Sequence, residues 1–258
     1  MQKEFKKLKT LKKITACMHL RKLIEANGRN NLANLHLLYT VNRENFKMLL
    51  YEKYNPKVAI CMNNIVASII YLITNQKEFL KNTIEHFSNN YELDFHSLHV
   101  AIYAVNLAKH LKFEQEELEY IALAALFIDI GLKAVDEDIK EISMSLDDKQ
   151  FKNIKKHPLY SVQIAEHNHI HNPYIIDAIK HHHERYDGSG YPDGLKKRSI
   201  SKFAAILAIC DTFDALTCDR PYRERLSYFE ALNFMLKDEK MHGKFDEKYL
   251  GVFLKSLL

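Results

Sequence analysis

Helix-breaking residues are scarce in this chain and bunched where they occur. Seven glycines and five prolines serve 258 residues, and Gly188, Gly190, Pro192 and Gly194 fall within one short stretch. Inside a helix a glycine costs about 1 kcal/mol and a proline about 3 kcal/mol relative to alanine. Long tracts without either are free to be helical, and a cluster of them marks a loop. The expectation is an all-α chain with one conspicuous loop, Asp187 to Arg198. A chain that is 47% hydrophobic and 27% charged has the material for a well-buried core of ordinary globular type.

The periodicities agree. Residues 4 to about 26 read as a helix stopped by Asn27-Gly28. Residues 31 to 55 are ambiguous, because Leu35, Leu37, Leu38, Tyr39 and Val41 suit helix or strand. A long helix follows Pro56, with Val58, Ile65, Ile69, Leu72 and Ile73 at helical spacing, and continues through Gln76 to Phe87. Ser88-Asn89-Asn90 breaks it and divides an N-terminal region, 1–88, from a second unit, 89–258. There Val100, Ala104, Leu107 and Leu111 form a stripe that Ala101 and Ala108 widen. Tyr120 to Ile128 is apolar nearly all round and should be central. Lys152–Glu166, Pro173–Glu184, Ser201–Cys218 and Ser227–Lys237 each read as helices.

Charge and cysteine usage exclude several classes. The net charge is +4, with Lys3, Lys6, Lys7, Lys9, Lys12 and Lys13 gathered at the start. A basic amphipathic helix there could meet anionic lipid, or the lysines could be a solvated face. No aromatic residues interleave with basic ones as in RNA-binding surfaces, so no nucleic-acid partner is expected. Cys17, Cys61, Cys210 and Cys218 lie far apart without a CxxC pair, which suits reduced cytosolic thiols. Ile60–Thr74 is short for a membrane span and holds Asn63 and Asn64, so a buried helix and a cytoplasmic protein without a transmembrane segment are expected.

Chemistry-bearing residues gather at helix ends. Asp129 directly follows the apolar run to Ile128, and is either a desolvated ligand or a turn residue. His181, His182 and His183 end a helix and run into Asp187-Gly188-Ser189-Gly190-Tyr191-Pro192. Histidine runs are often merely solvated, but glycines there allow a backbone to approach a ligand closely. Asp211 and Asp214 share a helix face, with Arg220 and Arg223 following. That set could bind an oxyanion such as phosphate or form a surface ion-pair network. His167, His169 and His171 sit in a polar segment and read as solvated.

Together these residues resemble the HD-GYP family of HD-domain metal phosphohydrolases. The motif HHExxDGxGYP is complete at residues 182–192. His96-Ser97, Asp129-Ile130-Gly131, His157-Pro158, and Asp211 to Thr217 leading into Asp219-Arg220-Pro221-Tyr222-Arg223 follow the family order. The resemblance covers about residues 90–240. It implies an HD-domain helical bundle, with residues 1–88 as an additional, mostly helical region for regulation or for contact with a protein partner. It implies hydrolysis of the bacterial messenger cyclic di-GMP to pGpG or GMP, in a cytoplasmic protein that could form a homodimer.

The family's cofactors are two or three iron or manganese ions, a choice that mixed imidazole and carboxylate ligands favour. Metal-bound water is the nucleophile. Carried over, Glu92, His96, Asp129, His157, His182, His183 and Asp211 are metal positions. Asp129 bridges, and Glu92 serves a third ion. Gly190, Tyr191, Arg220 and Arg223 are substrate-binding positions.

One motif departs from the family. The usual His-Asp-Ile-Gly-Lys reads Ile128-Asp129-Ile130-Gly131-Leu132, so an imidazole and a phosphate-facing lysine are lost. Lys133 is one residue late, about 100° around a helix. His99 is a candidate substitute ligand with no assurance of the right direction. Either a slow phosphodiesterase or an inactive cyclic di-GMP-binding module follows, and a purely structural domain is the third reading.

Overall fold

The computed structural model describes residues 19–28, 31–51, 56–76, 78–87, 92–135, 148–219, 224–238 and 241–257. Among these the chain is all-α, without a strand, as expected. Helices α1 (Leu20–Ala26), α2 (Asn31–Tyr51), α3 (Pro56–Asn75) and α4 (Phe79–Phe87) precede the long α5 (Leu93–His110) and α6 (Gln115–Phe127). A 3-10 helix, Ile130–Ala134, leads on to α7 (Asp148–Ile154), α8 (His157–His167) and α9 (Pro173–His181). After the loop come α10 (Lys202–Thr217), α11 (Tyr228–Lys237) and α12 (Glu247–Leu257).

The core is organised round α5. Every residue from His96 to Ala108 is buried, so the expected stripe is part of a helix packed on all sides by α2, α3, α6, α10 and α12. Central burial of α6 is met: Ile121, Ala122, Ala124, Ala125, Leu126, Phe127 and Ile128 are all buried. Buried apolar residues run from Leu20 to Phe253 as one connected cluster, which includes Ile128. Helix α3 contains a stretch, Val58–Asn75, long and apolar enough to cross a membrane by length and composition, and over half of it is buried inside the molecule.

Several boundaries differ from expectation, each for a local reason. The ambiguous segment is a full helix, α2. The stretch after Pro56 ends at Asn75, and α4 starts afresh at Phe79. Lys152–Glu166 breaks at Lys155-Lys156, because Pro158 starts a new helix in its first turn. Helix α9 ends at His181, before the expected Glu184. Helix starts are well marked: Asn172 and Ser201 cap α9 and α10 with their side chains, and Ser227 with Glu230 closes a capping box on α11. Helix α12 had no forecast.

Cys61 is disulfide-bonded, against the expectation of reduced thiols, whereas Cys210 and Cys218 are free. The expected start of the first helix, its lysines and the Ser88-Asn89-Asn90 break lie outside the described residues.

Candidate metal centre

Five segments deliver side chains to one buried spot. His96 comes from the first turns of α5, Asp129 from the turn after α6, and His157 from the first position of α8. His182 and His183 follow the end of α9, and Asp211 lies in α10. Their ligand atoms form two groups, one of Asp129, His157, His182 and His183 and one of His96, Asp129 and Asp211. Asp129 belongs to both. It is at once a turn residue, heading the 3-10 helix, and desolvated, at 5% exposed.

The turn is fixed by a neighbour that carries no ligand signature. Ser161 Oγ donates to Ile128 O at 2.7 Å and accepts from Gly131 N at 2.9 Å. Gly131 lies so close to the His157 carbonyl that a Cβ there would overlap it. Helix α8 therefore grips the backbone on both sides of Asp129 and sets His157 against it.

Imidazole tautomers decide what the spot can hold. His157 Nδ1 faces Ile154 O at 2.8 Å and His182 Nδ1 faces Ile179 O at 2.7 Å. A carbonyl only accepts, so each Nδ1 carries a proton, and in its neutral form each ring offers an Nε2 lone pair. These two Nε2 atoms are 3.3 Å apart and lie 3.0 and 3.5 Å from Asp129 Oδ1. His96 repeats the pattern: its Nδ1 meets Asp214 Oδ2 at 2.7 Å, and its Nε2 is 3.2 Å from both Asp129 Oδ2 and Asp211 Oδ1. His183 Nδ1 is 3.6 Å from Asp211 Oδ2.

Lone pairs aimed at lone pairs and carboxylates repel unless cations lie between them. Two ligand atoms at right angles about 2.1 Å from an ion stand about 3 Å apart, which matches these spacings. The donor set therefore fits divalent metal ions.

Without an ion, the histidines and carboxylates of the cluster offset one another's charge. Burial pushes the Asp129 carboxyl up, but His157, His182 and His96 hold it well below the usual carboxylate range. Burial pulls His157 down, yet Asp129 raises it above an ordinary imidazole. Burial, then His182 and His157, keep His183 well below that range, so this ring is neutral and able to ligate. Burial pushes Asp214 up, but His99 and His96 bring it below the usual carboxylate range.

The glycine loop lies over this centre. Glu184, 1% exposed, accepts from Asp193 N, Gly194 N and Leu195 N at 2.7, 3.0 and 2.9 Å. Gly190 has no room for a side chain, since a Cβ would meet Glu184, Arg185 N and His183 O. Tyr191 precedes a cis proline and stacks on His183, with ring centroids 4.7 Å apart. Burial, then Asp129 and Asp211, raise its hydroxyl pKa, so it stays a hydrogen-bond donor. Arg185 braces the loop from beneath, donating to His182 O and Glu184 O at 3.2 and 3.0 Å.

Six of the seven forecast ligands thus converge, and Glu92 does not. It stands outside both groups, paired with Arg43 of α2. Arg220 and Arg223 lie outside the described residues. Ile128 is fully buried in the apolar core, and Lys133 is exposed. His99 points its Nδ1 at Asp214 Oδ1, 2.9 Å away. It backs the carboxylate that holds His96 and is in neither ligand group containing Asp129. His167, His169 and His171 are exposed, as expected. A separate cleft of about 310 Å³, between α3, α6 and the α8–α9 turn, contains none of the site residues.

Sequence reasoning missed Ser161, Glu184, Arg185 and the role of Asp214. Asp214 left a signal in its i+3 spacing from Asp211, and Glu184 in its place within HHExxDGxGYP.

Comparison with known proteins agrees with this geometry. The family model of the HD domain matches residues 68–249. A cyclic di-GMP phosphodiesterase of Pseudomonas aeruginosa is 33% identical over 162 residues, 63% of this chain and 38% of that protein. A 3'3'-cGAMP-specific phosphodiesterase of Vibrio cholerae is 31% identical over 169 residues, 63% of this chain and 35% of that one. The chain therefore spans little more than a third of these relatives. The HDG"Y"P protein Bd1817 of Bdellovibrio bacteriovorus shares the fold over 100% of this chain and 81% of its own, with a TM-score of 0.79 at 16% identity.

Proposed function

We propose that this chain, which belongs to the HD-domain family and within it to the HD-GYP group, is a metal-dependent phosphodiesterase that opens cyclic di-GMP to pGpG or GMP at a reduced rate. One observation carries the reading. The Nε2 atoms of His96, His157 and His182 converge on the Asp129 carboxylate while every Nδ1 is engaged elsewhere. That arrangement suits a pair of ions sharing Asp129. Iron or manganese bound there would polarise the phosphodiester and lower the pKa of water.

The chain's own residues do the rest. Glu184 and Arg185 fix the loop that presents Gly190 and Tyr191, and the protonated Tyr191 hydroxyl is a donor for a phosphate or base oxygen. Arg220 and Arg223 are kept as phosphate contacts. A third ion at Glu92 requires its ion pair with Arg43 to break. That pair joins α2 to the start of α5, which favours residues 1–88 as a regulatory region. The burial of α3 favours a cytoplasmic protein.

A specific observation favours a second reading, a cyclic di-GMP receptor without turnover. Ile128 and Leu132 stand where an imidazole and a cation are expected, and Ile128 is committed to the apolar core. Metal analysis with steady-state hydrolysis of cyclic di-GMP and 3'3'-cGAMP in iron or manganese separates the two. Slow hydrolysis with bound metal supports the enzyme, and tight binding without products supports the receptor. A protein that takes up neither metal nor nucleotide overturns both. Ile128→His with Leu132→Lys should raise metal content and rate.

A further inference from the structure

Lys155 is a cation at the mouth of the centre for which no metal-ligand pattern has a use. It lies at the break between α7 and α8, two residues before His157. Its Nζ is 5.3 Å from the centroid of the Tyr191 ring and 4.6 Å from that of Phe151. Tyr191 in turn stacks on His183 and lies 6.4 Å from the His157 ring. An ordered row therefore runs outward from the centre: His183, Tyr191, Lys155, Phe151. No carboxylate among the described residues pairs with Lys155, whereas Lys180 and Lys202 both have acidic partners.

Phe151 is 47% exposed. The exposed ring leaves apolar surface that a stacking ligand would cover. Alternating π-faces and positive charge are what single-stranded nucleotides stack on and pair with.

We infer that Phe151 and Lys155, joined to Tyr191, form the outer recognition edge for a cyclic purine dinucleotide: Lys155 meets the phosphodiester that is not cleaved, and Phe151 takes the face of the distal base. This inference rests on the nucleotide reading of the site and assigns its specificity to α7. It also gives the site a cation where Leu132 offers none. The break at Lys155-Lys156 turns the last residues of α7 toward the loop; a continuous Lys152–Glu166 helix would have directed Lys155 along another axis.

The test uses the metal-loaded full chain, with cyclic di-GMP binding followed by calorimetry. Phe151→Ala and Lys155→Ala should each raise Kd about tenfold, the size of one lost stacking or phosphate contact, with metal content unchanged. Phe151→Tyr and Lys155→Arg should restore most of the affinity. A phosphorothioate analogue of cyclic di-GMP that resists hydrolysis, titrated in parallel, keeps the readout one of binding whether or not the protein turns over. If the parent binds cyclic di-GMP and both alanine variants match it within about twofold, the edge is overturned and the functional reading stands. Loss of metal in the alanine variants means a structural role and overturns it too. A parent that holds metal but binds no cyclic dinucleotide overturns both.

Discussion

His96 is held by a carboxylate that stands outside the two ligand groups sharing Asp129. Asp214 takes the Nδ1 side of His96 and is itself backed by His99 and by Cys218, whose Sγ is 3.5 Å from Oδ2. Partners of this kind fix ring orientation and ligand basicity. Asp214→Asn should lower metal affinity about 10- to 100-fold, read by competition with a metallochromic chelator. His157 makes a second prediction with a definite sign. Its pKa is raised because Asp129 outweighs burial, so in metal-free protein its contribution is full below the unfolded value of about 6.5. That contribution is lost as pH climbs through the folded value. The stability difference between parent and His157→Gln, measured by urea unfolding without metal, should be largest below about pH 6.5 and shrink as pH rises through the raised folded value. Metal binding runs the opposite way, since ion and proton compete for Nε2, and affinity should fall on acidification.

At the scale of elements, the loop after α9 depends on Glu184 more than on its glycines. Three backbone N–H groups converge on one buried carboxylate. Glu184→Gln replaces one acceptor oxygen with a donor facing an N–H, and should cost about 2 kcal/mol in urea unfolding. Tyr191 should lose its stacking on His183 in the same variant. The element level is also where the sequence was least readable. Helix α2 was ambiguous because its inner face mixes Leu35, Leu38, Val41 and Phe46 with buried Asn34, Asn42 and Asn45. Those asparagines bond across the fold, Asn42 to Asp94 O at 2.8 Å and Asn34 to Gly28 O at 3.1 Å, partners no local pattern reveals. By contrast, α6 and α10 were legible because runs of apolar residues announce burial on every side.

For the whole molecule, the centre is a device for joining distant segments. His96, Asp129, His157, His182, His183 and Asp211 tie α5, α6, α8, α9 and α10 together. Binding to the folded state alone stabilises by about 2.7 kcal/mol at a hundredfold excess over Kd. Manganese should therefore raise Tm by several degrees, and a chelator should reverse it, in a thermal melt. The convergence of these six residues was legible because motif order carries it. Its supports were not, since Ser161 works through backbone atoms of a segment far away in sequence, and Arg185 through carbonyls of its own loop and Thr212 of α10. Glu92 stands apart from the two ligand groups, held by Arg43, which lies 49 residues before it and which no local pattern links to it.

The burial of α5 on all sides has a kinetic consequence. Ordinary fluctuations open a helix from its solvent-facing side, and from His96 to Ala108 this one has none. His182 and His183 instead sit where a helix frays into a loop. The two halves of the centre should therefore let go on different clocks. An ion departing from the histidine-rich half needs only a local breath of the loop. One leaving the half that contains His96 finds no such local opening at α5 and should leave more slowly. Challenged with excess chelator, the protein should release its metal in two phases, the faster from the half built on His182 and His183.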